Sequence, residues 1–191
     1  MIRLIILVFI LCSPVDASDQ VLVAASTNTI AIDNQYHGIV GSNAWQASND
    51  TGGATIATSA GTLKNMRVAT PTGPGAGTSW IFTVRDGTTN TAITCTIAGT
   101  ETSCTDLSNT ASVSVADEMS YFRDEVGAAA DERARFTTVF TPTTDGETIL
   151  PAGSESANIN GISYWSFGGK GDGLATEFGR ESLVPTSGTV K

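Results

Sequence analysis

The clearest pattern in this chain is a series of short runs in which apolar and polar residues alternate. In one run, Trp80, Phe82 and Val84 occupy every second position, and Thr83 and Arg85 lie between or beside them. A period of two is typical of a β-strand, because successive side chains point to opposite faces of a sheet. We therefore predict that this run is a strand and that Trp80 faces the core.

Similar runs continue along the chain, separated by Gly, Pro and acidic turn residues. The pattern predicts a strand at 63–69, with a bulge near Lys64 or Asn65 because the apolar positions change parity there. A strand at 119–123 follows the turn at Asp117–Glu118. The last clear strand has Phe136, Thr138 and Phe140 on one face and ends at Pro142, and we predict loops at 70–78 and 124–134.

Seven to nine short strands without a helical period predict an all-β fold, an antiparallel β-sandwich or jelly roll. We divide the chain into a signal peptide at 1–17, an N-terminal arm at 18–35, a jelly-roll β-sandwich domain at 36–150, and extra strands or the truncated start of a second repeat at 151–191. The last assignment depends on an echo, since Thr186 to Lys191 repeats Thr58 to Lys64 with one deletion.

Cys95 and Cys104 are predicted to form a disulfide across a hairpin. Ile93 to Ile97 alternates, and Ala98 to Glu101 offers Gly99 at the first central position of a type II′ turn. Counting outward from this turn places the two cysteines opposite each other, with Cα atoms roughly 4.5–5.5 Å apart, which a disulfide accepts. Two unpaired buried thiols remain the alternative.

The first 17 residues have the layout of a secretory signal peptide. Met1 to Arg3 is a positive start, Leu4 to Leu11 is apolar, and Val15 to Ala17 is a small-residue cleavage signal, so we expect cleavage after Ala17. The apolar run is shorter than the roughly 20 residues that span a bilayer, which predicts no permanent membrane span. Loss of Cys12 leaves two cysteines, and an even number favours a disulfide in an exported protein.

Composition narrows the range of partners. Only 15% of the residues are charged, and the formal net charge of −9 does not change when Arg3 and Asp16 leave with the signal peptide. Nucleic acid and anionic membranes are poor partners for such an acidic chain. Together with the signal peptide at 1–17, this composition leads us to expect a secreted, extracellular or cell-surface protein.

Three runs carry a resemblance to a known family: Gly61 to Val68, Gly75 to Gly87, and Val113 to Ser120. They resemble the C1q- and tumour-necrosis-factor-like jelly-roll modules of secreted bacterial surface proteins and of phage tail-fibre or spike proteins, over roughly residues 58–142. The resemblance implies a jelly roll and a homotrimer, and it transfers no catalytic residue. The family pattern often has Gly before the acid of a turn, where this chain has Ala116 before Asp117.

The residues that could support catalysis or bind a metal do not form a recognisable set. His37 is the single histidine and has no ligand-spaced Cys, Asp or Glu near it, and no Gly-x-Ser-x-Gly motif is present. Acid pairs such as Asp124–Glu125 and Asp131–Glu132 are the minimum apparatus of a glycosidase, but we interpret them as solvated turns. We predict no enzyme, no metal and no cofactor, with calcium bound by turn oxygens left open.

Aromatic residues in polar surroundings are the candidate ligand-binding positions. These are Trp45, Tyr164 and Trp165, whose rings could stack on sugars. We predict a secreted, non-enzymatic structural or adhesive surface module, a homo-oligomer with a trimer favoured, whose partner is a cell-surface glycan or protein. The alternatives are a carbohydrate-binding module and a phage tail-fibre or receptor-binding domain, and a glycoside hydrolase is the least favoured.

Overall fold

The computed structural model describes residues 17–29, 34–46 and 53–149 of the chain. The elements bounded within these residues are β-strands, which confirms the all-β prediction. They are β1 (Gln20–Ser26), β2 (Gln35–Gly38), β3 (Gly41–Asn43), β4 (Thr55–Ile56), β5 (Gly61–Ala69), β6 (Gly75–Asp86), β7 (Thr89–Gly99), β8 (Ser103–Val113), β9 (Glu118–Val126) and β10 (Arg135–Pro142).

The strands form two sheets that pack against each other. Sheet A has the order β3-β1-β10-β5-β8, and sheet B has the order β2-β9-β6-β7, with β4 also pairing with β9. Among the described strands, β1 and β3 run parallel and the other pairs are antiparallel. The predicted β-sandwich is confirmed.

The core lies between the sheets and is built from alternate residues, as the sequence pattern predicts. Trp80, Phe82 and Val84 of β6 are fully buried, and so are Phe136 and Phe140 of β10. Burial of each large apolar side chain contributes about 1.5–3 kcal/mol relative to leaving it in water. The alternation of apolar residues therefore holds the two sheets together.

A hydrogen bond between two side chains lies inside this core. The side-chain hydroxyls of Tyr121 on β9 and Thr138 on β10 form a hydrogen bond between the two sheets. Both residues are fully buried, and burial raises the pKa of Tyr121 above its usual value while the bond to Thr138 opposes that shift. A buried hydroxyl without a partner would be costly, so this bond satisfies two polar groups at once.

The predicted bulge in β5 is present at Asn65. The register against both neighbouring strands shifts just after Lys64, and Asn65 adopts a left-handed conformation with φ of 55°. The extra residue changes which face the following side chains point to. As a result Leu63, Met66 and Val68 all point into the core despite their uneven spacing.

β1 is an integral strand of sheet A, which corrects the predicted arm at 18–35 and the core expected only after Tyr36. It pairs with β10 along its length, and Leu22 and Ala24 are buried in the core. Because residues 21–23 are all apolar, the sequence does not show the alternation in which only every second side chain faces the core. Residues 1–16, 30–33, 47–52 and 150–191 lie outside the described part, so the signal peptide and the second repeat stay predictions.

The disulfide between Cys95 and Cys104 is confirmed, but the predicted hairpin ladder is wrong. The Cα atoms are 5.7 Å apart, and the turn is present, with Glu101 N–H donating to the Ala98 carbonyl at 3.0 Å and Gly99 at a φ of 58°. Beyond this turn, however, β7 pairs with β6, and β8 pairs with β5. The disulfide therefore joins sheet B to sheet A.

Two predicted loops are shorter in the structure than in the sequence prediction. β6 already begins at Gly75, where the chain is paired with β7 through a bulge, so the loop expected at 70–78 ends early. β9 continues to Val126, so the loop expected at 124–134 starts later. In both places strand pairing to a neighbour extends a segment whose own composition favours a loop.

Candidate binding surface

Trp45, one of the predicted ligand positions, is buried and has no open ring face. It is 4% exposed and packs against the rings of His37, Phe82 and Phe136. The expectation of an exposed stacking ring is therefore corrected at this residue, because the neighbouring Gln46 pairs with β2 and holds the segment against the core. Tyr164 and Trp165 lie outside the described residues, and their ligand role stays a prediction.

His37 lies on β2 and is fully buried. Its Nδ1 lies 2.7 Å from the carbonyl oxygen of Gly38, and its Nε2 lies 3.1 Å from that of Ala25 on β1. The ring therefore links sheet B to sheet A. Its surroundings are aromatic rings and backbone oxygens, an environment that suits a structural role.

The acid pairs make local contacts in turns and strand ends. Asp117 accepts a backbone N–H within its own turn, and Glu125 pairs with Arg123 at 2.6 Å. Glu132 accepts a hydrogen bond from Thr72, and its pKa is lowered chiefly by the backbone N–H of the next residue. Within 17–29, 34–46 and 53–149, no group of three or more His, Cys, Asp or Glu side chains could hold a metal ion.

The outer side of sheet A carries a surface that the sequence did not indicate. An open depression of about 420 Å³ lies over four adjacent strands, β1, β10, β5 and β8, where β10 and β8 begin and β5 ends. We call this surface the sheet A face and define it by six outward-pointing side chains, Val23, Arg67, Ser103, Thr105, Arg135 and Thr137.

The pairing registers place these side chains in two adjacent rows. Thr137 on β10 is opposite Val23 on one side and Arg67 on the other, and Arg67 is opposite Thr105. In the next row, Arg135 is opposite Ala69. The two arginines are thus diagonal neighbours on the two central strands, a placement in which their Cα atoms are about 7–8 Å apart.

The charge of the sheet A face is opposite to that of the chain. Arg67 and Arg135 are exposed, and neither forms an ion pair or side-chain hydrogen bond with the described residues. Among the residues that the structure describes, no Asp or Glu lines the depression, although the whole chain has a net charge of −9. By contrast, Lys64 pairs with Asp19 at 3.0 Å. The face is a local positive site on an acidic protein.

The outer side of sheet B carries an aromatic pair that the sequence also did not indicate. The rings of Tyr36 and Phe122 lie 5.1 Å apart, and the Arg85 guanidinium lies 5.3 Å and 4.9 Å from their centroids. Arg85 also donates a hydrogen bond to the Tyr36 hydroxyl at 3.0 Å. Because the cation already covers these rings, the pair offers less to a ligand than the sheet A face.

Comparisons of the chain with protein-family models, with curated proteins and with solved structures found no match. The resemblance to C1q- and tumour-necrosis-factor-like modules therefore stays a prediction. Within the described parts of the chain, no helix is long and apolar enough to cross a membrane.

Proposed function

We propose that this chain is a secreted, non-enzymatic structural or adhesive module that acts by surface contact. The observation that carries the proposal is the sheet A face, where two arginines that have no ion pair or side-chain hydrogen bond with the described residues are exposed over a depression in an acidic protein. Neither arginine joins two parts of the described fold through an ion pair or a side-chain hydrogen bond. Contact with a binding partner would give the two arginines a function.

The frame behind the sheet A face supports a binding role because it is rigid. β10 and β5 are each paired on both sides, so the side chains project from strands with fixed backbones. The Cys95–Cys104 disulfide holds the edge of sheet A to sheet B next to the face. A backbone that is already ordered loses little conformational entropy when the surface binds, so the entropy cost is confined to the side chains.

The proposal includes a homo-oligomer, with a trimer favoured, as the family resemblance implies. An apolar pair at one end of the sandwich supports it: Ile56 and Val115 are 61% and 63% exposed. Their segments are neighbours, since Ala116 N–H donates to the Ala57 carbonyl at 2.8 Å. A partner subunit would remove these side chains from water, which is favourable in proportion to the apolar area covered.

Sedimentation of the chain lacking residues 1–17, combined with a turnover screen, tests this function. We expect an oligomer that Val115→Asp dissociates, because the new charge would have to be buried without a partner. We expect no turnover of glycoside or ester substrates. A monomer at every concentration would overturn the oligomer, and reproducible turnover by the purified protein would overturn the non-enzymatic role.

A further inference from the structure

We propose that the sheet A face binds a carboxylated polysaccharide, a chain of uronic-acid units, through Arg67 and Arg135. The inference rests on the proposed function as a contact module and names the chemistry of the partner. It assigns the ligand to residues on the outer side of sheet A and not to the aromatic residues that the sequence favours.

Charge complementarity is the first reason. The described residues that line the depression include two exposed arginines and no acid, while the chain as a whole has a net charge of −9. An anionic partner is attracted to this face and disfavoured by the net negative charge of the chain, and such complementarity directs where it docks. A neutral ligand would leave both guanidinium groups unused.

The arrangement of donors is the second reason. A guanidinium presents its N–H groups in a planar fork that matches the two oxygens of a carboxylate. Arg67 and Arg135, as diagonal neighbours, can each take one carboxylate of the same polymer. Around them Ser103, Thr105 and Thr137 supply hydroxyls, which both donate and accept hydrogen bonds and so match the hydroxyls of a sugar ring.

The backbone around the site favours a polysaccharide over an acidic peptide. Extended peptides commonly bind a sheet by adding a strand to a free edge, where main-chain groups are unpaired. β5 and β10, which carry the arginines, lie inside sheet A and are paired on both sides. At the two arginines the sheet A face therefore offers side chains alone, and a polymer with carboxylates and hydroxyls at every unit matches both the guanidinium groups and the hydroxyls around them.

Isothermal titration calorimetry with polygalacturonate as the probe tests the proposal. The matched probes are dextran, a neutral polysaccharide, dextran sulfate, a sulfated one, and poly-L-glutamate, an acidic peptide. We expect binding of polygalacturonate that weakens as salt is added, because exposed charges are screened. We expect no binding of dextran and weaker binding of poly-L-glutamate.

The decisive variant is Arg67→Gln combined with Arg135→Gln, compared with Arg133→Gln as the matched control. Arg133 is exposed in the loop before β10 and does not line the depression, so its replacement removes a charge outside the face. We expect the double variant to bind polygalacturonate at least about tenfold more weakly, since charge-assisted bonds are lost. Arg133→Gln should stay within about twofold of the parent.

Several results would overturn the proposal. One is absence of polygalacturonate binding by the parent, and another is equal loss in the Arg133→Gln control. Binding of dextran sulfate without polygalacturonate would contradict the carboxylate assignment, and equal affinity for poly-L-glutamate would contradict the polysaccharide. An unchanged melting temperature of the double variant shows that it is folded. If the protein is an oligomer without turnover but does not bind polygalacturonate, the proposed function stands and the ligand assignment fails.

Discussion

Asp106 offers the sharpest test of how the two sheets are joined. Its carboxylate on β8 accepts the backbone N–H of Thr94 on β7 at 2.9 Å, and it also accepts bonds from Ser108 and Asn109. The residue is only 5% exposed. Burial would raise the pKa of this carboxyl, but the hydrogen bonds from Asn109, Thr94 and Ser108 outweigh burial and lower the pKa to about 2.

The size of this pKa shift gives the contribution of Asp106 to the free energy of unfolding. The ordinary pKa of the carboxyl is 3.8 and the folded value is about 2. Because one pKa unit corresponds to about 1.4 kcal/mol, ionised Asp106 contributes about 2 kcal/mol to stability. Since the folded pKa is depressed, this contribution is complete above the unfolded value and is lost as the pH falls through the folded one.

We expect Asp106→Asn to lower the free energy of unfolding by about 2 kcal/mol at about pH 6, because the amide cannot accept all of these bonds. The gap should close by about pH 2, where the parent is also becoming protonated. Urea unfolding followed by tryptophan fluorescence measures both values.

Asp131→Asn is the matched control, since Asp131 is an exposed acid, and it should change stability by less than about 0.5 kcal/mol. The reasoning would be refuted if Asp106→Asn were as stable as the parent at about pH 6. A gap that stayed constant down to about pH 2 would refute it equally.

Three further predictions concern the backbone and the disulfide. Replacing Cys95 and Cys104 by Ala should cost about 2.5–3 kcal/mol, because the bond closes a ring of about ten residues, and a loss below about 1 kcal/mol in urea unfolding would contradict the loop-entropy account. Ala116→Gly should stabilise by about 0.5–1 kcal/mol, because Ala116 has a φ of 74° at the turn position where glycine is preferred. Ala98→Gly is the control: Ala98 lies at an exposed strand position, and this change should lower the stability of the protein. Equal changes in melting temperature for Ala116→Gly and Ala98→Gly would contradict the prediction for Ala116. Gly61→Ala should destabilise by about 1–3 kcal/mol, since its Cβ would lie 2.4 Å from the Thr141 carbonyl oxygen and 2.5 Å from the Phe140 ring, and an unchanged melting temperature would contradict it.

Local alternation predicts which side chains enter the core, because it depends only on neighbouring residues. Trp80 and Phe136 are buried as their spacing predicts, and the break in parity near Asn65 does mark a bulge. Local alternation does not predict which strands pair with each other. The turn at 98–101 predicts a hairpin, yet β7 and β8 separate into different sheets, because β7 pairs with the preceding strand, β6, and β8 pairs with β5, which is distant in the chain.

The candidate site depends on the same long-range pairing, which is why the sequence did not reveal it. Arg67 and Arg135 each stand alone in the sequence among outward-facing positions, and only the pairing of β5 with β10 brings them together. At Trp45 the sequence pattern predicts an exposed side chain that the structure does not have. A polar stretch around a single tryptophan reads as an exposed loop, whereas the side chain is inserted among His37, Phe82 and Phe136.

The most direct test of the central claim is a map of the residues that an oligogalacturonate contacts. Nitrogen–proton correlation spectra recorded during a titration of the folded protein would provide it. Contact through the sheet A face predicts that the shifted signals cluster on β1, β10, β5 and β8, around Arg67, Arg135 and Thr137. Shifts clustered instead around Arg85 and Phe122 on the outer side of sheet B, or no shifts at all, would contradict it.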